Sequence, residues 1–114
     1  AMDRALALGP RNPRVWLLRG MSAFNTPAMW GGGTDKARDY LTRAASLFAA
    51  DRPAGALPAW GEAETQVWLG RTLQKAGDTT GARAAYTRAL ALQPDNGWVS
   101  RVLLPSLEWP AANP

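Results

Sequence analysis

The chain has 114 residues, 46% of them hydrophobic, and carries 13 Lys and Arg against 9 Asp and Glu, a net charge of +4. A chain of this length fits a single domain that buries roughly two thirds of the surface its unfolded form exposes. The absence of Cys and His excludes disulfides, thiol catalysis and the usual zinc-ligand sets, so we predict no metal site. No apolar run reaches the roughly 18 residues of a membrane span, and the positive charge favours acidic partners.

The first segment is a near copy of a later one. Residues 4–12 read RALALGPRN, and residues 88–96 read RALALQPDN. Since the later copy ends a predicted helix pair, we predict that residues 1–9 are the second helix of a truncated repeat. A repeat unit cannot bury its apolar face alone, so Leu6 and Leu8 would lean on the next helix pair or on another chain.

The next helix is predicted to start at Asn12-Pro13, because Asn caps free amides and Pro suits the first helical position. The helix runs to about Asn25. Within it, Trp16 and Gly20 stand four residues apart, which places them on one face of the helix. We predict that both belong to the core.

An enlarged turn follows at residues 25–34, NTPAMWGGGT. The proline favours an extended or turn segment, and the three glycines allow backbone angles that are closed to other residues. Thr34 is predicted to cap a helix of about residues 35–50, so that residues 13–50 form one helix pair. The apolar stripe of this helix consists of Ala37, Tyr40, Leu41, Ala44, Leu47 and Phe48.

A second, regular helix pair is predicted over residues 59–96, after a loop at 51–58. Gly77 would end its first helix in the left-handed conformation, and Asp78 or Thr79 would cap its second helix. Pro94 ends the pair, because proline cannot continue a helix. The two apolar stripes are Val67, Leu69, Gly70, Leu73 and Ala76 in the first helix, and Ala82, Ala85, Tyr86, Ala89, Leu90 and Leu92 in the second.

The last part of the chain is predicted to close the open end of the helix array. Residues 97–104 form a capping helix that Pro105 ends, and residues 105–114 form a tail against the last pair. The residues expected to face inward are Trp98, Val99, Val102 and Leu103.

Seven residues of the second pair resemble the signature of the tetratricopeptide repeat: Leu69, Gly70, Leu73, Ala82, Tyr86, Ala89 and Pro94. Gln66 departs from the Trp that is frequent in the family at this position. The first pair resembles the same unit with a longer turn, since Gly20 and Ala37 stand 17 residues apart where Gly70 and Ala82 stand 12 apart. The resemblance implies an all-α solenoid of antiparallel helix pairs with a capping helix. Similar inserts occur in small bacterial proteins of this family, a likeness that implies no activity.

Three patterns could support chemistry, and each has a simpler interpretation. Glycines 31–33 before a helix could cradle a phosphate, but they do not match the P-loop pattern, so a turn with a cap is favoured. Asp35 and Asp39 lie one helical turn apart, but without His or Cys nearby they are interpreted as solvated surface. Six Trp in a basic chain could stack on nucleic acid, but no dense basic cluster accompanies them, which favours a role in the core. We predict no enzyme, no cofactor and no nucleic-acid partner.

The resemblance implies a binding surface, the concave groove lined by the first helix of each pair. Arg71, Lys75 and Arg101 would make one end of it basic, and Leu17, Met21 and Phe24 would make the other apolar. The predicted groove residues are Arg14, Leu17, Met21, Phe24, Asn25, Arg71, Gln74, Lys75, Trp98 and Arg101, with Glu64 and Val67 beside them. Such a groove suits a peptide with an acidic part and a hydrophobic anchor. The alternative is that these residues are ordinary solvated surface, partly covered by another helix.

Two functions follow from this reading. The first is a non-catalytic protein-interaction module that binds a peptide or partner segment in the groove. The second is a self-association or structural assembly element of a larger bacterial protein, in which the chain forms a homo-oligomer. An accessory domain of an enzyme whose catalytic part lies outside this chain is a more distant third. The richness in Ala, Arg and Pro is typical of a GC-rich bacterial source, with the compartment left open between cytoplasm and periplasm.

Overall fold

The computed structural model describes residues 12–51 and 61–108, which are almost entirely helical. Within these ranges there is no β-strand, so the predicted all-α fold is confirmed. The four long helices of these ranges are α1 (Pro13–Phe24), α2 (Thr34–Asp51), α3 (Glu62–Lys75) and α4 (Thr79–Leu92). The predicted helix at residues 1–9 lies outside the described residues. None of the described helices is long and apolar enough to cross a membrane.

The first helix pair is α1 packed against α2. The α1 helix begins as predicted, with the Asn12 side chain accepting a hydrogen bond from the Arg14 amide at 3.0 Å and Pro13 in the first turn. Gly20 permits the close approach of the two helices, because a Cβ atom at this position would lie 2.5 Å from Cγ of Leu41. Gly20 and Leu41 are both buried, so the core role predicted for this glycine is confirmed.

In the second pair, α3 packs closely against α4 at a glycine in the same way. A Cβ atom on Gly70 would lie 2.5 Å from Cδ1 of Tyr86, whose side chain is completely buried. The turn between the helices has Gly77 at φ 88°, and the Asp78 carboxylate accepts a hydrogen bond from the Gly81 amide at 2.8 Å. The predicted left-handed glycine is confirmed, and of the two predicted caps, Asp78 and Thr79, the structure has Asp78.

The two pairs are joined because α2 also packs on α3, so that one core runs through both. Thr65 and Thr72 are polar residues of α3 inside this core. Each hydroxyl donates to a backbone carbonyl one turn earlier, those of Gly61 and Trp68, which removes the cost of burying it. The core residues include Leu17, Ala37, Leu41, Ala44, Val67, Leu69, Leu73, Ala82, Ala85, Tyr86, Ala89, Val99 and Leu103.

The end helix, residues 97–106, differs from its prediction in two respects. Val99 and Leu103 are buried as expected, but Trp98 and Val102 are exposed. Each exposed residue precedes a buried one by one position, which turns it about 100° away around the helix axis. The helix also continues past Pro105 to Ser106. Its central part is a π turn, Val99–Leu103, in which the Leu104 amide donates to the carbonyl of Val99. A π turn is wider than an α turn, which relieves the clash that proline makes with the preceding turn of an α-helix.

The insert between α1 and α2 is a structured turn, in which residues Ala28–Trp30 form one turn of 3₁₀ helix. The amides of Trp30 and Gly32 both donate to the carbonyl of Pro27, the Gly31 amide donates to Ala28, and the Gly33 amide donates to Ala23. The amides of all three glycines are thus occupied by the turn and by the end of α1, which agrees with the turn interpretation and leaves none to cradle a phosphate.

Candidate functional site

Four of the predicted groove residues meet in space, together with one that was not predicted. We call this set the aromatic–cation cluster: Phe24 from α1, Trp68, Arg71 and Lys75 from α3, and Trp98 from the end helix. The cluster therefore joins the first pair, the second pair and the end helix at one surface. Lys75 is exposed and Trp98 is 47% exposed, while the other three side chains are half-buried.

Arg71 is the centre of the cluster. Its guanidinium carbon lies 4.6 Å from the ring centroid of Trp68, 5.0 Å from that of Phe24 and 5.4 Å from that of Trp98. The Phe24 and Trp68 rings also meet edge to face, with centroids 5.4 Å apart. Each cation–π contact at a partly exposed site is worth about 0.5–1 kcal/mol. Three rings from three helices thus hold one positive charge in a fixed place.

The cluster holds two positive charges and no negative one. The Lys75 ammonium lies 4.8 Å from the centroid of the Phe24 ring, which Arg71 also contacts. Neither Arg71 nor Lys75 has an ion-pair partner in the part of the chain that the structure describes, where the carboxylates of Asp35 and Glu108 pair with other arginines. The local field is therefore positive, and it attracts anions.

Gln74 was predicted to line the groove, but the structure gives its side chain an internal role. The Tyr86 hydroxyl donates to Oε1 of Gln74 at 2.8 Å, and Nε2 of Gln74 donates to the Ser106 hydroxyl at 3.0 Å. Ser106 in turn donates to the carbonyl of Leu103 at 2.6 Å. Burial raises the pKa of Tyr86 to about 12, although the positive charge of Arg71 lowers it in part. Gln74 therefore ties α4 to the end helix.

The apolar end of the predicted groove is smaller than expected. Leu17 is only 3% exposed, because its position on α1 turns it towards the junction of α2 and α3, where a Cβ atom on Gly61 would lie 3.3 Å from its Cδ2. The prediction that Leu17 lines the groove is wrong, and Val67 is buried in the same way. Met21 is half-buried and packs against the core.

The remaining predicted residues lie outside the cluster. The Arg14 guanidinium carbon lies 5.7 Å from the centroid of the Phe48 ring. The side-chain amide of Asn25 donates from Nδ2 to the carbonyl of Met21 at 2.9 Å, at the end of α1. Arg101 is exposed and lies along its own helix beside Gly97. The structure thus brings together Phe24, Arg71, Lys75 and Trp98, and it places Arg14, Asn25 and Arg101 elsewhere.

Trp68 is the residue of the cluster that was not predicted, although its spacing from Gly70 indicates its outward position. It lies two positions before Gly70, the glycine that faces α4. Two residues correspond to about 200° of rotation, so this position points away from the partner helix. The equivalent residue of α1 is Leu18, two positions before Gly20, and it is 46% exposed. Counting back from the packed glycine would have identified both.

The alternative chemistries gain no support from the geometry. Asp35 is exposed and pairs with Arg38 at 3.3 Å, and Asp39 is exposed as well. Among the described residues, no group of three or more Asp, Glu, His or Cys could hold a metal ion.

A cleft of about 200 Å³ lies beside the insert, and its walls include Arg19, Tyr40 and Trp30.

Comparisons with known proteins agree with the fold. A family model for the tetratricopeptide repeat matches residues 63–96, which span α3, α4 and the proline that ends the pair. No curated protein and no solved structure matches the chain. The first pair repeats the glycine-mediated packing of the second, with a longer turn. Residues 63–96 are thus a tetratricopeptide repeat.

Proposed function

We propose that this chain is a non-catalytic protein-interaction module that binds an extended segment of a partner protein. The binding surface is the groove formed by α1, α3 and the end helix on the side away from α2 and α4. A tetratricopeptide repeat supports protein interaction in general. The observation that carries the finer proposal is the aromatic–cation cluster, which lies where these three helices meet.

The composition of the cluster supports this proposal. Trp and Arg are the residue types most enriched among those that dominate binding energies at protein interfaces. Here they are held in place before any partner arrives, since Arg71 contacts three rings and Phe24 contacts Trp68. A surface ordered in advance loses little conformational entropy on binding. Trp98, 47% exposed, offers a large apolar area to a partner.

The proposal is tested by selecting peptides from a random library displayed on phage, with the immobilised chain as bait. Selected peptides are synthesised, and their affinities are measured by fluorescence anisotropy against wild type, Arg71→Gln and Trp98→Ala. We expect each of the two variants to lose about tenfold or more in affinity, as residues at the centre of an interface do. Lys36→Gln is the matched control, since Lys36 is an exposed cation on α2, and it should bind as wild type does.

Circular dichroism and thermal melts establish that each variant is folded. The proposal is wrong if the library yields no peptide that binds the wild-type chain. It is equally wrong if selected peptides bind Arg71→Gln and Trp98→Ala unchanged, because another surface would then be the binding site.

Self-association is the second candidate, and one observation favours it. Met29 and Trp30 are 83% and 75% exposed, on a turn that internal hydrogen bonds hold in shape. Exposed apolar pairs of this kind often mark contact sites. Sedimentation velocity over a hundredfold range of concentration should then show association that Trp30→Ala abolishes. A monomer at every concentration would exclude this candidate.

A further inference from the structure

We infer that the partner segment carries two acidic side chains separated by one residue, and that these pair with Arg71 and Lys75. The inference rests on the proposed groove function and specifies the chemistry of its ligand. It starts from the aromatic–cation cluster, where two positive charges stand together. Both charged groups lie within 5.0 Å of the Phe24 ring centroid, so they are no more than about 10 Å apart.

The donors of these two groups are available to a ligand. The side chains of Arg71 and Lys75 make no hydrogen bond and no ion pair with any described residue, so residues 12–51 and 61–108 satisfy none of their N–H groups. The aromatic rings engage the guanidinium of Arg71 by cation–π contact, in which no oxygen acceptor pairs with its N–H groups. A carboxylate accepts two parallel hydrogen bonds from a guanidinium, and an ammonium pairs with a second carboxylate as a point charge.

The width of the surface favours an extended ligand over a helical one. The rings of Phe24 and Trp98 both contact Arg71, with centroids 5.0 Å and 5.4 Å from its guanidinium carbon, so they are no more than about 10 Å apart. An α-helix with its side chains is about 10–12 Å across, before any allowance for the thickness of the rings. An extended chain needs only about 5 Å, the spacing of neighbouring strands. A helix is therefore too wide to enter between the rings, which favours an extended segment that lies over the rings and the guanidinium.

The spacing of the two cations then determines the spacing of the acids. Arg71 and Lys75 are four residues apart on α3, a rise of about 6 Å along the helix axis. In an extended segment, side chains two residues apart lie on the same side and are separated by about 6.6 Å. Adjacent acids would point to opposite sides, and acids four residues apart would be separated by about 13 Å. An extended segment that runs along α3, with two acidic residues separated by one other residue, therefore matches the spacing of Arg71 and Lys75.

The test uses three fluorescein-labelled nonapeptides of identical composition, with two Asp in a background of Leu, Phe and Ser. The two Asp are adjacent in the first peptide, separated by one residue in the second, and separated by three residues in the third. By anisotropy at low salt we expect the second to bind about tenfold more tightly than the other two, as close interfacial charge pairs do. Arg71→Gln and Lys75→Gln should each remove this preference, while Lys36→Gln should preserve it.

A double-mutant cycle makes the assignment of the pairs specific. Each Asp of the second peptide is changed in turn to Asn, and both peptides are measured against wild type and Lys75→Gln. If Lys75 pairs with one Asp, its loss costs nothing further once that Asp is Asn, but it still costs affinity when the other Asp is changed. Additive losses in both combinations would show that no specific pair exists and would overturn the inference.

The failure of this inference is distinguishable from the failure of the proposed function. If library-selected peptides need Arg71 and Trp98 but the three isomers bind equally, the groove function stands and the inference is wrong. A preference for the peptide with Asp residues separated by three others would indicate a helical ligand, and it would also overturn the inference. Binding of oligo(dT) that needs Arg71 and Lys75, with no binding of any of the peptides, would overturn both in favour of a nucleic-acid ligand.

Discussion

The two helix pairs are built on one plan and differ in what they do with it. In each, a glycine of the first helix faces a large buried side chain of the second: Gly20 faces Leu41, and Gly70 faces Tyr86. The Leu41 side chain has no polar group, whereas the Tyr86 hydroxyl donates a hydrogen bond to Gln74, and Gln74 donates one to Ser106 of the end helix. The difference shows how one residue exchange gives the second pair a connection to the end helix.

The outer faces of the two pairs also differ, in how an arginine of the second helix contacts the first helix. In the first pair, the Trp16 and Tyr40 rings pack at a tilt of 34° with centroids 5.8 Å apart, and the Arg43 guanidinium carbon lies 4.6 Å from the centroid of the Trp16 ring. In the second pair, Gln66 occupies the position of Trp16, and it accepts a hydrogen bond from Nε of Arg88 at 3.1 Å. An arginine thus holds the first helix in both pairs, by a cation–π contact in one and a hydrogen bond in the other. The departure from the family's frequent Trp is compensated locally.

The largest effect should come from a charge at the seam of the second pair. Tyr86→Asp removes a large buried ring and leaves a carboxylate without partners in its place, which costs several kcal/mol. Because domains of this size are stable by only about 5–15 kcal/mol, we expect the variant to be unfolded at 25 °C by circular dichroism. Thr87→Asp, at the exposed next position of α4, is the control and should melt near wild type. A folded Tyr86→Asp would contradict the assigned seam.

Replacing the packed glycine of each pair with alanine adds one methyl group to each seam and tests how rigidly the facing side chain is held. In Gly70→Ala the new Cβ would meet the Tyr86 ring, which is rigid and anchored by its hydroxyl, so we expect a loss of about 2–4 kcal/mol. In Gly20→Ala it would meet the Leu41 side chain, which can change rotamer, and the loss should be about half as large. Urea unfolding of both variants measures the difference. Equal losses would mean that the tyrosine is no more rigidly held than the leucine.

A smaller effect should follow from the tyrosine hydroxyl alone. Tyr86→Phe removes the hydrogen bond to Gln74 and should cost about 1–2 kcal/mol at neutral pH. Since the pKa of Tyr86 is raised to about 12 in the folded chain, the unfolded chain ionises first, at its ordinary pKa near 10. The stability from the neutral hydroxyl is therefore fully present below pH 10 and is lost between pH 10 and about 12.

Urea midpoints between pH 9 and pH 11.5 check this dependence. Wild type should lose stability more steeply than Tyr86→Phe, which keeps Tyr40 and both lysines as a common background of titrating groups. Parallel curves for the two proteins would show that Tyr86 ionises in the folded chain as easily as in the unfolded one.

Features that depend on short-range spacing could be predicted from the sequence. The caps at Asn12 and Asp78, the left-handed Gly77 and the packed Gly70 are each determined by neighbours within one or two turns. These local rules also predicted two antiparallel pairs and the longer turn of the first, because the offset between equivalent residues can be counted directly.

The composition of the cluster depended on more than local spacing. Leu17 and Phe24 are seven residues apart and lie on one face of α1, yet Leu17 is buried and Phe24 is half-buried because the packing of α2 on α3 covers only the first. Trp68 enters the cluster because that same packing brings Phe24 of the first pair to it, a contact between distant parts of the sequence that local spacing does not specify. The end helix passes Pro105 because a π turn precedes it, and no residue pattern in the segment signals that turn.

The smallest effect should come from the feature that most clearly separates the pairs, the insert of the first. Trp30 is 75% exposed, and the turn around it is held by backbone hydrogen bonds to Pro27, Ala28 and Ala23 that do not involve its side chain. Trp30→Ala should therefore change the free energy of unfolding by no more than about 0.5 kcal/mol, as exposed substitutions do. Urea unfolding measures this, with Trp98→Ala as a comparison whose ring contacts Arg71. A loss of several kcal/mol would show that the insert supports the core, and the first pair would then depend on its long turn for stability.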